Sequence, residues 1–305
     1  PVLNPIISLI PKYLTIFRDD PKTINNFCIF AYNNVHFFKD SLQDFFQTMI
    51  SIIESPDFST GIKNSAICIL DLFITHYPAF FQPHSISLFD FFVSKLPIEE
   101  THESFIALIA NLSGEYGGND KYALHVYDFF TKNVPNPIAY IAIGASYEGI
   151  KDHFSHICFS DELLDYFSQG FTSENDFTRL KAFQYFVPII KIFYKYNDNI
   201  SANSDVNILL NVIINEENPQ VLFYELKMLS KLLSYYSELL TQIIPDIIKL
   251  LDQLIGICNQ PQYITILLRC YISIAQSEKY SDLKPYSQHS ALKISQYINN
   301  PIESD

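Results

Sequence analysis

A helix-capping residue followed by proline recurs along this chain at roughly the spacing of a helical hairpin. Asp20-Pro21, Ser55-Pro56, Asn136-Pro137 and Asn218-Pro219 each precede a long apolar-periodic run, and Gln260-Pro261 does so with a weaker cap. An Asp, Ser or Asn side chain accepts a hydrogen bond from a free N–H of the first helical turn. Proline fits the next position, where no N–H is needed. Two further runs open without proline, one near Glu99 and one at Ser173-Glu174-Asn175-Asp176, where an acid follows a Ser cap by three residues. Starts at 21, 56, 99, 137, 174, 219 and 261 give steps of 35, 43, 38, 37, 45 and 42. A period of about 40 residues that holds two helices is the signature of an α-solenoid, whose units bury their apolar faces on their neighbours. The expected fold is all-α, a right-handed superhelix of about seven antiparallel helix pairs.

The apolar spacing within the pairs supports this. After Pro56, the residues Ile62, Ala66, Ile69, Leu70, Phe73, Ile74 and Tyr77 form one helical stripe. Tyr77-Pro78 ends that helix, and Pro83 leads a second one with Ile86, Leu88, Phe89, Phe92, Val93 and Leu96, stopped by Pro97. After Pro219, Leu222, Leu226, Leu229, Leu233 and Tyr236 form one stripe, and Val221, Met228, Leu232 and Tyr235 a second beside it. Lys227, Lys231 and Ser234 share the polar face that remains. A double stripe implies burial on two sides, against the partner helix and against the next repeat. The residues before Asp20 read as one helix broken near Pro11, the second half of a truncated repeat. Pro188 falls inside the helical run from Phe183 to Tyr194 and is expected to kink it. With no long linker or strand-like alternation, residues 1–305 read as a single solenoid segment of a longer chain.

Charge narrows the partners. The formal net charge is −13 and charged residues make up only 17%. The acidity argues against a general nucleic-acid binder, which needs a basic stripe to displace counterions, and favours basic partners. Cys28, Cys68, Cys158, Cys258 and Cys270 are odd in number, scattered, and set in or beside apolar runs. They read as buried free thiols in a reducing compartment rather than a disulfide or zinc framework. No stretch reads as a membrane span.

Catalytic and metal motifs do not assemble. His102-Glu103-Ser104-Phe105-Ile106 begins like a zinc-protease helix, but Ile106 occupies the second histidine position. His153, His156 and Cys158 are close in sequence without an evident fourth ligand, and read as residues of a helix–helix turn. Gly117-Gly118 lacks the preceding strand of a phosphate loop and reads as a helix stop, and Ser113-Gly114-Glu115 has no nucleophile context. The reading is of a non-enzymatic chain with no cofactor and no metal.

Two segments carry a family resemblance. Ile62-Lys63-Asn64-Ser65-Ala66-Ile67-Cys68-Ile69-Leu70-Asp71-Leu72-Phe73 resembles the first helix of a HEAT repeat, with a basic residue before Ala and Leu following at helical spacing. Thr178-Arg179-Leu180-Lys181-Ala182-Phe183 repeats the basic-then-Ala pattern. Tyr77-Pro78-Ala79-Phe80-Phe81-Gln82-Pro83 looks like the inter-helix turn of importin-β-type (karyopherin) nuclear transport receptors. The Asp-and-Arg ladder of strong HEAT repeats is patchy, and the runs at Pro137 and Pro261 depart from it toward an armadillo-like form.

The resemblance implies a protein-binding scaffold of the cytoplasm and nucleus, with basic cargo on the concave face that the second helices line, Phe-Gly nucleoporins on the convex face, and control by Ran. A vesicle-coat adaptor, a phosphatase scaffold subunit and the helical region of a large kinase are the alternatives. Asp44, Asp90, Asp128, Asp161, Glu162, Asp165, Asp246 and Asp252 fall on the second helices and form a candidate acidic strip for a basic peptide. The competing account is that they are solvated surface charges, with Asp161 and Glu162 favoured in a first turn by the helix dipole.

Overall fold

A computed structural model describes the backbone over residues 34–97, 102–157, 161–196, 202–236, 242–258, 260–276 and 284–299, with residue 240 and isolated positions between 20 and 33. The expected helix broken at Pro11 lies outside the described residues. A 3-10 turn, Val35–Ser41, leads into α1, Leu42–Glu54. Then come α2 (Thr60–His76), α3 (Ser85–Lys95), α4 (His102–Tyr116), α5 (Asp120–Asn133), α6 (Pro137–Ile157) and α7 (Asp161–Phe171). They are followed by α8 (Asp176–Tyr196), α9 (Ala202–Asn215), α10 (Pro219–Tyr236), α11 (Ile244–Ile257), α12 (Pro261–Gln276) and α13 (Lys284–Asn299). The described residues contain no strand. Even-numbered helices are the first members of the expected pairs, and odd-numbered helices the second. The protein is an all-α helical-repeat solenoid.

The chain divides into two compact units, residues 1–133 with 141–158, and residues 134–140 with 159–305. In unit 1, α2 packs on α4 and α3 on α5, while α1–α2 and α3–α4 contacts join the two layers. In unit 2, α8, α10 and α12 form one row and α9, α11 and α13 the other, joined by α7–α8, α9–α10, α11–α12 and α12–α13 contacts. Side chains tie residues one repeat apart. Ser104 donates to Asn64 Oδ1 (2.9 Å) and Asn111 to Asp71 Oδ1 (2.6 Å), each across 40 residues. The Tyr116 hydroxyl reaches the Pro78 carbonyl at 2.9 Å, and that of Tyr297 the Ile255 carbonyl at 3.1 Å.

The stripes are buried as the spacing predicts. In α2, Ile62, Ala66, Ile69, Leu70, Phe73 and Ile74 are buried, with Ile67 added. In α10, Val221, Leu226, Met228, Leu229, Leu232 and Leu233 are buried, Leu222 is half-buried and Tyr235 is exposed, while the Tyr236 side chain lies outside the described residues. Phenylalanines carry much of the packing: Phe45 stacks on Phe73 with ring centroids 4.3 Å apart, and Phe171 on Phe183 at 4.2 Å. Burying such side chains contributes roughly 1.5–3 kcal/mol each. Pro188 stands inside α8.

Some local readings change. Asn136 and Asn218 cap α6 and α10: their Oδ1 atoms accept from Ile138 N and Gln220 N, both at 3.0 Å. Ser55 does not cap α2. Its hydroxyl accepts from Asp57 N (3.2 Å) in a turn, and the helix starts at Thr60 behind Ser59. Ser173 likewise accepts from Asn175 N, and Asn175 is the true cap of α8, its Oδ1 accepting from Thr178 N at 3.0 Å. Asn175→Ala should therefore cost about 1 kcal/mol, and Ser173→Ala distinctly less, in urea unfolding. The thiols are not uniformly buried: Cys270 is buried, Cys258 half-buried and Cys68 exposed. Cys28 and the Cys158 side chain lie outside the described residues.

Gly117 ends α4, as expected, for an unexpected reason. No described glycine has a positive φ. A Cβ on Gly117 would sit 2.2 Å from the Gly149 carbonyl oxygen, and one on Gly149 would sit 2.0 Å from that of Ser113. The backbones of α4 and α6 touch there, and only hydrogen fits between them.

Candidate acidic face of the second helices

All eight predicted acids lie on odd-numbered helices: Asp44 on α1, Asp90 on α3, Asp128 on α5, Asp161, Glu162 and Asp165 on α7, Asp246 and Asp252 on α11. The side chains of Asp161 and Glu162 lie outside the described residues. Asp44, Asp90, Asp128, Asp165 and Asp246 are exposed and Asp252 is half-buried. They sit there because the apolar stripe of each second helix faces inward and leaves the polar arc outside.

Several of these carboxylates have intrachain partners. Asp90 Oδ1 lies 2.7 Å from His125 Nε2 on α5. Asp128 accepts from Lys132 at 3.0 Å and Asp246 from Lys249 at 2.9 Å. Asp252 accepts from the Tyr271 hydroxyl (2.7 Å) and Lys293 (3.1 Å), and lies 3.0 Å from His289 Nε2. Partial burial pushes the Asp252 carboxyl up, but the Tyr271 hydroxyl, Lys293 and His289 outweigh it and hold it below the ordinary value. The exposed pairs contribute little, about 0–1 kcal/mol each, and remain open to exchange with an external cation. A groove of about 400 Å³ between α9 and α11 adds an apolar element beside Asp246: Leu210 and Leu250 line it, and Ile214 stands 61% exposed at its edge.

Two features were not read from the sequence. Arg179 makes a bidentate pair with Glu216 (2.9 Å from both Nε and Nη2), bonds Asp176 at 2.8 Å, and donates to the carbonyls of Ser173 and Glu174. Glu225, on α10, is wholly buried. A cavity of about 510 Å³ opens beside Arg179, lined by Phe171, Thr172, Ser173, Asn211, Val212, Asn215 and Glu216.

Residues of the dismissed motifs have intrachain partners. Ser113 shares a 2.8 Å hydrogen bond with the buried Tyr122 hydroxyl. His153 lies within α6, not in a turn, 2.9 Å from Asp120; the side chains of His156 and Cys158 are outside the described residues. Among the described residues, no three His, Cys, Asp or Glu side chains are placed to hold a metal ion, and no helix is long and apolar enough to cross a membrane.

No protein-family model and no curated protein matches this sequence. Solved structures do match. The karyopherin Kap121p bound to RanGTP superposes with a TM-score of 0.71 at 14% identity, covering 98% of this chain and 35% of the other. The protein has the HEAT-repeat fold of importin-β-type receptors. Kap121p bound to Pho4p gives a TM-score of 0.68 at 14% identity, covering 98% of this chain and 31% of that one. The form bound to the SUMO protease Ulp1p gives 0.71 at 14% identity with the same coverage. The chain thus spans about a third of the length of the structures it matches.

Proposed function

We propose that this chain is a protein-binding, non-catalytic segment of an importin-β-like transport receptor, working between cytoplasm and nucleus. It takes a basic, lysine-rich segment of a partner protein on its odd-numbered helices. The observation that supports this most is the fold likeness to Kap121p over 98% of the chain. Kap121p has been solved with RanGTP, with Pho4p and with Nup53p, and the reading extends to Ran and nucleoporin contacts for the receptor of which this chain is part.

The net charge of −13 and the exposed acids on the second helices of each unit supply the attraction. Long-range steering brings a basic segment in, and exposed carboxylates hold it by screened attraction. Asp44 and Asp165 are exposed contributors, and Asp90, Asp128 and Asp246 exchange an internal cation for an external one. The groove beside Asp246 takes an apolar side chain of the same segment.

The test is binding of a lysine-rich peptide, followed by fluorescence anisotropy at low and physiological salt. Asp161→Asn, Glu162→Gln and Asp165→Asn combined should weaken it about tenfold, at roughly 0.5 kcal/mol per lost pair. Affinity should also fall as the Debye length shrinks to about 8 Å. Equal affinities without salt dependence would remove the acidic face as the site.

A further inference from the structure

The apolar arc of α10 contains one acid. Glu225 is fully buried and neither of its carboxyl oxygens has a hydrogen-bond partner. Its helix packs on α8, α9 and α12, and among their described side chains none hydrogen-bonds to it. From α8, the acting cation is Arg179, whose guanidinium is already occupied by Glu216, Asp176 and the carbonyls of Ser173 and Glu174. Lys181, on the same helix, donates to Gln184 and lies over the Phe177 ring, and burial, with Tyr224 adding, pushes the Tyr185 hydroxyl up, so that it stays neutral. The described side chains of α9, Leu209 to Asn215, include no titratable group, and Glu216 beyond them acts as a like charge. From α12, Tyr263 donates to the Pro219 carbonyl, Tyr271 to Asp252, Cys270 is buried beside Ser230, and Arg269 is exposed. On α10 itself, Lys227 lies over the Phe223 and Tyr224 rings, and Lys231 over that of Tyr235.

A carboxylate in such a place has lost its water without gaining a hydrogen-bond donor, and the nearest acting cation is already committed to other carboxylates, which disfavours the charged form strongly. The neutral acid is the form that fits. We propose that Glu225 makes the α8–α10–α12 seam a proton-dependent joint, closed while the carboxyl is protonated and opened when the proton leaves.

The sign follows from the direction of the shift. Burial, with Glu216 adding and Arg179 opposing, pushes this carboxyl from 4.5 up to about 8. The unfolded or opened form releases its proton near the ordinary value, while the closed form keeps it to about 8. The joint is therefore most stable at low pH and loses stability progressively as pH rises between those two values. Across that window the opening equilibrium grows about tenfold per pH unit.

Urea unfolding and amide exchange of the whole chain, from pH 5 to 9, compare the wild type with Glu225→Gln. Gln keeps size and polarity but cannot ionise. In the wild type, α10 amides should open more with rising pH after correction for intrinsic rates, by about tenfold per unit. In the Gln variant that increment should be absent, and at pH 9 the variant should be the more stable protein. Identical pH dependence in the two proteins overturns the proposal. Infrared spectra of wild type carrying carboxyl-labelled glutamate decide the matter even if the variant does not fold. A protonated-carboxyl band persisting at pH 7 is expected, and its absence at that pH overturns the proposal equally.

Discussion

Gly149→Ala is expected to destabilise unit 1 by about 3 kcal/mol, the upper end of the usual cost of overpacking. The added methyl would lie 2.0 Å from the Ser113 carbonyl oxygen, 2.2 Å from its carbon and 2.6 Å from Gly114 N. These are backbone atoms of α4, so relief requires moving a helix and not a rotamer. Two effects compete. Alanine is the better helix former by up to about 1 kcal/mol, partly through the unfolded chain. At Gly149 the clash wins. At Gly61 and Gly114, which also lie within helices, no atom stands within 4 Å of the added Cβ. There the same substitution should raise stability by a few tenths to about 1 kcal/mol. Thermal unfolding of the three variants checks the claim. A neutral Gly149→Ala would show that α4 and α6 do not meet backbone to backbone.

Arg179→Ala should cost about 3 kcal/mol, because it leaves the partner charge buried. The Glu216 side chain is only 2% exposed and that of Arg179 17%, and their paired hydrogen bonds span one repeat, from α8 to the start of the α10 connection. Removing the guanidinium also leaves Asp176 with Asn218 and takes a donor from the Ser173 and Glu174 carbonyls at the head of α8. Replacing both partners together, Arg179→Met with Glu216→Met, should recover most of the loss, since an apolar pair of similar size avoids the desolvation penalty. Chemical denaturation of the single and double variants reports it. A double variant as weak as Arg179→Ala would mean that the guanidinium acts chiefly through the carbonyls and Asp176.

The repeat was legible because its signals are local. Asn136-Pro137 and Asn218-Pro219 start helices where their chemistry says, and the α2 stripe is buried from Ile62 to Ile74. The misplaced caps came from two cap-forming residues within one turn of each other in each case: Ser55 and Ser59, Ser173 and Asn175. Either member suits the chemistry, and only the chain path chooses. The acids of the second helices were legible as to helix, but not as to partner. His125 lies 35 residues from Asp90 and His289 lies 37 from Asp252, so those pairs exist only once neighbouring repeats are stacked. The fit of Gly149 against Ser113 is equally non-local. Glu225 is different, because its burial can be read from the helix alone. At about 100° per residue it stands some 200° from Lys227, opposite the polar face and between the two apolar stripes. An acid at such a position is a misfit visible in the sequence.

The claim that the odd-numbered helices receive a basic partner is tested most directly by hydrogen-exchange footprinting of the whole chain with and without a saturating lysine-rich peptide. Slowed exchange is expected along α1, α3, α5, α7 and α11, strongest near Asp44, Asp165 and the α9–α11 groove, with α2, α4, α8, α10 and α12 unchanged. Protection confined to the even-numbered helices, or no protection at peptide concentrations that saturate binding, would contradict the account.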